Sequence, residues 1–203
     1  ADFFKVLQLP QVWINGIYAG LLFALIQAFA GLWAVPFLKQ VYGFSLGRAA
    51  FLSSLIFWGS VMGAPFFGWL GEVSHRYRPI MIFNALMAAS ISVAIIDVLT
   101  THLFPLAMMF FLLGFFGASY MLPFAVVQQI TPAQIRGTTM GVTNMLCIII
   151  GAPILQPLIG AILNIQSSTH VTTAILTHYQ LAFIPLVASL LIAILLACFV
   201  KTR

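Results

Sequence analysis

The stretch GWLGEVSHRYRPI, residues 68–80, holds one of the three acids of this chain and two of its eight Lys and Arg residues. On its N-terminal side, Ala49–Leu70 carries no charge at all; on its C-terminal side, Pro79–Leu99 carries only Asp97. A short charged run between two long apolar runs is a water-facing turn joining two buried segments. The rest of the sequence makes those segments membrane helices. Charged residues are 5% of 203 and hydrophobic residues 63%, with a mean hydropathy of +1.13. A water-soluble domain is nearer a quarter charged, and so few charges cannot cover a water-facing surface. Lipid is the solvent for most of this chain.

Six segments are apolar enough, and long enough at about 20 residues each, to cross a bilayer. They are Val12–Leu38, Ala49–Leu70, Pro79–Leu99, Leu103–Ile130, Thr138–Leu163 and Tyr179–Val200. Barrel strands are about half that length and alternate in polarity; these runs do neither, so the expected fold is all-α. If the N-terminus is cytoplasmic, Lys5, Arg76, Arg78, Arg136, Lys201 and Arg203 fall inside, and Lys39 and Arg48 fall outside. That bias toward the inside supports cytoplasmic termini. It also gives the charged stretch its place, as a tight cytoplasmic turn between the second and third helices.

The tripeptide Gly-Ala-Pro occurs at residues 63–65 in the second segment and at 151–153 in the fifth. Those are equivalent places if the chain is two three-helix units, an arrangement that transporters use as an inverted repeat. Small residues recur at helical spacing: Gly59 and Gly63, Ala64 and Gly68, Gly114 with Gly117, Ala118 and Met121, Gly137 and Gly141. Such residues let membrane helices approach closely.

The charged turn resembles a signature of the major facilitator superfamily, G-x-L-x-D-R-x-G-R-R/K, found between the second and third helices of each six-helix half. Gly68, Leu70, Glu72 and Arg76 fall into the pattern, with Glu72 for Asp, Val73 for an Arg and His75 for a Gly, and Arg78 supplies its closing basic residue one place on. A degraded copy is what the C-terminal half of such transporters tends to carry. TPAQIRGTTMG, which contains Arg136, resembles the loop opening the eleventh helix, and PQVWINGIYAGL the start of the seventh. TNMLCIIIGAPILQPLIG and AGLWAVPFLKQVYG are similar to a phagosomal-transporter-like branch in bacteria, associated with amino acid and nucleoside uptake. The resemblance covers nearly the whole chain. It implies one half of the superfamily fold, a 3+3 inverted repeat, set in a bacterial inner membrane. The chain is then expected to be the C-terminal six-helix domain, residues 1–203, working against an N-terminal six-helix half. Ala1 in place of Met and the immediate entry into a helix fit that expectation.

Polar residues near helix centres are costly against lipid and should face a neighbour or a cavity. They are Gln27, Trp58, Ser60, Ser119, Tyr120, Asn144 and Gln156. The third segment offers Asn84 and the sixth almost nothing, so the first, second, fourth and fifth are expected to surround a wet cavity. The resemblance implies the same arrangement. For any single residue of the set, a hydrogen bond between helices is an equal alternative to ligand contact. The turn residues Gly68, Glu72, Arg76 and Arg78, with Arg136, are either a conformational latch or plain positive-inside anchoring. Asp97, near the end of the third segment, belongs at the interface rather than at the midplane.

Amides, hydroxyls and rings suit a small polar or zwitterionic solute. The expected function is secondary transport by alternating access, with proton-coupled uptake of an amino acid or nucleoside leading and export of a drug or siderophore second. A membrane assembly protein or membrane enzyme is the reading from other classes, but no acid–base cluster lies at depth to support an enzyme. The partners expected are the bilayer, a small-molecule substrate and the other half. Basic residues are scattered singly, so no nucleic-acid face forms. Cys147 and Cys198 are isolated in apolar runs, and His75, His102, His170 and His178 are dispersed; no metal or cofactor is expected.

Overall fold

Pro10 opens the first long helix, and Gly43 closes it in the left-handed region at φ 67°. Both suit their places: proline is preorganised for a first turn, and glycine enters the left-handed region without a Cβ clash. This helix and five others make up a computed structural model that describes residues 2–97, 102–168 and 175–201. The six are α1 (Pro10–Tyr42), α2 (Leu46–Ser74), α3 (Tyr77–Asp97), α4 (Leu103–Ile130), α5 (Arg136–Ile165) and α6 (Ile175–Ala197), each long and apolar enough to cross a membrane. A short helix, Asp2–Leu7, precedes them, and among the described residues there is no strand. His170 lies outside the described residues.

The charged stretch is more helical than a turn reading expects. Ser45 caps α2 by accepting from the Arg48 N–H at 3.4 Å. The helix then runs through Gly68, Leu70 and Glu72 to Ser74, and α3 starts at Tyr77. Only His75 and Arg76 connect them. His75 is the left-handed cap, at φ 53°.

The helices form a bundle with α1 and α4 at its centre. The first packs on α5 and α6, the second on α2 and α3, and α3 also packs on α6. Exchanging the first three helices for the last three leaves that pattern unchanged, as a 3+3 repeat requires. The repeated tripeptide falls on equivalent contacts: Gly63 of α2 meets Phe115 and Ala118 of α4, and Gly151 of α5 meets Phe23 and Gln27 of α1. At the α2–α4 crossing the backbones nearly touch. A Cβ on Gly59 would overlap the Phe111 carbonyl, and one on Gly114 would overlap the Ile56 backbone. Aromatic packing ties α1 to α6, with Phe29 against Phe183 at 5.3 Å and Phe37 against Tyr179 at 5.4 Å between ring centroids.

Three helices change their winding. The first becomes a π-helix over Leu25–Trp33 and the fifth over Ile150–Leu155, while α4 tightens to a 3₁₀ turn at Ala118–Met121. Each change lies at or just before a proline: Pro36, Pro153 and Pro123 respectively. Proline has no N–H for the carbonyl four residues back and its ring pushes that carbonyl away, which loosens the preceding turn and allows it to rewind.

The start of α1 and the residues just after α6 meet at one end of the bundle. The Gln11 side chain donates from Nε2 to the Phe199 carbonyl at 3.1 Å and accepts at Oε1 from the Lys201 N–H at 2.9 Å. We call this the near end. Arg76, Arg78 and Arg136 share it; Lys39, Arg48 and Asp97 sit at the far end, as alternation of the six helices dictates.

Candidate functional site: an uncharged cavity between three helices

A cavity of about 520 Å³ opens between α1, α4 and α5, lined by Phe23, Gln27, Tyr120, Met121, Phe124, Met140, Asn144, Cys147 and Ile148. Helical periodicity selects this lining. Phe23 and Gln27 are four residues apart on α1, Tyr120 and Phe124 four apart on α4, and Met140, Asn144 and Ile148 repeat at four on α5. Residues at i and i+4 share a face. The 3₁₀ turn in α4 sorts three successive side chains. Ser119 turns into the core, while Tyr120 and Met121 turn to the cavity. The Phe23 and Tyr120 rings meet at 4.8 Å and 38°, so one wall of the cavity is an aromatic pair.

Among the described residues no charged side chain lines this space. Its polar groups are the Gln27 and Asn144 amides and the Tyr120 hydroxyl, none of which bonds to another described side chain. Gln156 stands just beyond. Its Nε2 donates to the Gln27 carbonyl at 2.7 Å, and its own carbonyl accepts from Trp33 Nε1 at 3.3 Å. The two bonds join the π-helical stretch of α1 to the residue just after that of α5. They satisfy carbonyls in a region where the regular ladder is broken.

The seven polar residues expected to line one cavity therefore separate. Gln27, Tyr120 and Asn144 do so together, and Gln156 supports Gln27 through its backbone. Ser60 joins helices instead, its one hydroxyl proton shared between the Ile56 carbonyl of its own helix at 3.0 Å and the Gly114 carbonyl of α4 at 3.1 Å. Ser119 is fully buried against Tyr18, 3.2 Å between the hydroxyls, while Tyr18 donates to the Met81 carbonyl at 2.9 Å. Both serines had a carbonyl or hydroxyl of a neighbouring helix within reach, and a hydroxyl at depth bonds what is nearest. Trp58 is 63% exposed on α2 and lines none of the cavity. The lining residues that polarity did not single out are Phe23, Phe124, Met140, Cys147 and Ile148. Their four-residue spacing from the polar ones is the signal that finds them.

At the near end, Glu72, Arg76 and Arg78 are all exposed, and no ion pair joins them. The turn is ordered by an uncharged residue. The Tyr77 ring seats on Gly71, where a Cβ would come within 2.5 Å of it. Its hydroxyl accepts from Gln129 Nε2 at 3.0 Å, tying the turn to the end of α4. Gly68 has open space beside it. Arg136 opens α5 half-buried, with Nε enclosed and unpartnered among the described residues.

The sequence matches the pattern of the Major Facilitator Superfamily over residues 13–203. No curated protein matches it. Its fold is similar to that of a bacterial homologue of the human lysosomal transporter Spinster, solved in an inward-facing and occupied conformation. The TM-score is 0.65 at 18% identity, over 97% of this chain and 50% of that one, so this chain spans about half the length of that transporter. At such identity the likeness speaks for the fold, and the six-helix bundle agrees with it. The sequence match, which runs from the start of α1 to the last residue, speaks for descent: the chain belongs to the Major Facilitator Superfamily.

Proposed function

We propose that this chain is the C-terminal six-helix half of a secondary transporter of a bacterial inner membrane, with both its ends cytoplasmic. It moves a small organic solute by rocking against an N-terminal half. Membership in a transporter family supports transport over catalysis, and the solved relative is itself named a transporter homologue. The observation that carries the reading of the solute is the cavity. Two amides and a phenol converge with two further aromatic rings in a space of about 520 Å³ lined by no charged side chain among the described residues. A ligand pocket of this kind combines apolar walls with a few placed polar groups.

Between the two leading solutes, a nucleoside suits this half better than an amino acid. A planar neutral base stacks on Phe23, Tyr120 or Phe124, and its edge bonds to the Gln27 and Asn144 amides. An ammonium and a carboxylate find no counter-charge here. The same lack of an acid or histidine in the lining means that a coupling proton, if uptake is proton-driven, is carried by the other half.

Met121 lies in the cavity wall and is 45% exposed, so a cysteine placed there is an accessible reporter. With Cys147 and Cys198 both changed to Ser, alkylation of Met121→Cys by a small maleimide in membrane vesicles is expected to slow several-fold in the presence of a transported nucleoside. Amino acids should protect less. Labelling indifferent to nucleosides, amino acids and hydrophobic drugs alike sinks the cavity as the substrate site; protection by drugs alone moves the reading to an exporter.

A further inference from the structure

A second space lies on the opposite side of the bundle. A groove of about 440 Å³ runs between α3 and α6, walled by Val93, Ile96, Leu181, Ile184 and Leu191, with Asp97 and Gln180 at its far end. Gln180 Nε2 donates to Asp97 Oδ1 at 3.1 Å. The amide fixes the carboxylate at the mouth of the groove and leaves Oδ2 available. Asp97 is one of three acids in the chain, and it ends α3, exposed at the level where lipid head groups lie.

Other outward-facing grooves differ. One is walled by Phe66, Phe83 and Phe116 with apolar neighbours, and another by Phe51, Phe104 and Phe111. Neither includes a charged or amide side chain, so neither distinguishes one lipid from another. The α3–α6 groove has both an apolar track and a polar head. Gln180 and Leu191 are eleven residues apart on one helix, which at about 1.5 Å per residue is roughly 16 Å. That is about half of the roughly 30 Å hydrocarbon core, the reach of one acyl chain. The histidine nearest in sequence to Gln180, His178, turns to a different cavity with Trp33 and Gln40. His102, at the start of α4, is exposed and is not part of the groove lining.

We propose that the α3–α6 groove is a selective site for a phospholipid with a primary ammonium head group. The ammonium donates to the Asp97 carboxylate, the Gln180 amide holds that carboxylate in place, and an acyl chain lies along Ile184 and Leu191. The site needs only that the chain sits in a bilayer, so it stands or falls apart from the choice of solute.

Native mass spectrometry of the purified full-length protein tests it, after exchange into mixed micelles holding equal amounts of phosphatidylethanolamine and phosphatidylglycerol with identical chains. The expected result is one retained phosphatidylethanolamine, favoured about fivefold, the scale of a single partly exposed charge pair. Asp97→Asn should bring the ratio near one, Asp97→Glu should keep the preference, and Ile184→Trp should reduce retention of both lipids by filling the track. Equal retention by the unaltered protein overturns the proposal, and so does a preference that survives Asp97→Asn. Unchanged thermal unfolding of Asp97→Asn in detergent separates loss of the site from loss of the fold.

Discussion

His75 sits at φ 53°, the one left-handed non-glycine position among the described residues. A Cβ there costs about 1–2 kcal/mol, although histidine tolerates the region better than branched residues do. Glycine removes the clash but adds backbone freedom to the unfolded chain, at a cost of about 0.5–1 kcal/mol. The two nearly offset, so His75→Gly is expected to raise stability slightly, by about 0.5 kcal/mol, and His75→Val to lower it by more than about 1 kcal/mol. Thermal unfolding in detergent reads both, and opposite signs are the signature of the backbone angle. Equal losses would mean that the imidazole itself holds the turn. The family pattern asks for glycine at this position, so the charged stretch announced its backbone as well as its location. It did not announce Tyr77, whose ring on Gly71 and bond to Gln129 order the turn. The cavity was legible to the same partial degree. Gln27, Tyr120 and Asn144 stand out because a polar group at depth must have a reason. Ser60 and Ser119 stand out equally, yet their reasons are the carbonyls and hydroxyls of neighbouring helices. A sequence gives the cost of a polar group, and only the packing gives what meets it.

Between helices, glycine spacing carries the same ambiguity. Gly59, Gly63 and Gly114 lie where α2 and α4 nearly touch, whereas Gly68, Gly137 and Gly141 follow the same spacing and face open space. Alanine separates the two groups. Gly114→Ala drives a methyl into the Ile56 backbone and should cost about 1–3 kcal/mol, the range of an overpacked core. Gly141→Ala meets nothing within 4 Å and should be neutral or stabilising by up to about 1 kcal/mol through helix propensity alone. Comparing melting of the two variants in one detergent checks this. A large loss from Gly141→Ala would instead place a neighbour against that face, as a second half of the transporter would supply. The positions of the six helices could be read from apolar length, but their winding could not. Pro36, Pro123 and Pro153 accompany rewound turns, while Pro65 and Pro185 lie inside regular helices. Proline fixes which hydrogen bond is lost; the neighbouring helix decides how the turn is closed. Between α1 and α5 the Gln156 bridge adds two bonds beside the rewound stretches.

At the scale of the whole molecule, the order of the helices and the placement of charge have to agree. The bundle maps onto itself when its two halves are exchanged, so packing alone does not say which end faces the cytoplasm. Charge does. By sequence, Lys5, Arg76, Arg78, Arg136, Lys201 and Arg203 belong to the near end and Lys39 and Arg48 to the far end, six against two. Short loops rich in Lys and Arg are retained on the cytoplasmic side during insertion, so the near end is expected inside. Alkaline phosphatase, which is active only after export, reports this directly when fused after Tyr42 or after Ser74. The first fusion, at the far end, should be active and the second nearly inactive; a green fluorescent protein fused at the same places should give the opposite pattern. Activity at Ser74 with silence at Tyr42 would invert the molecule. It would then put the aminophospholipid groove in the cytoplasmic leaflet, and with it the side from which the lipid reaches Asp97. Activity at both places would mean that the six helices do not alternate across the membrane, and the exchange symmetry of the bundle would have to be abandoned with them.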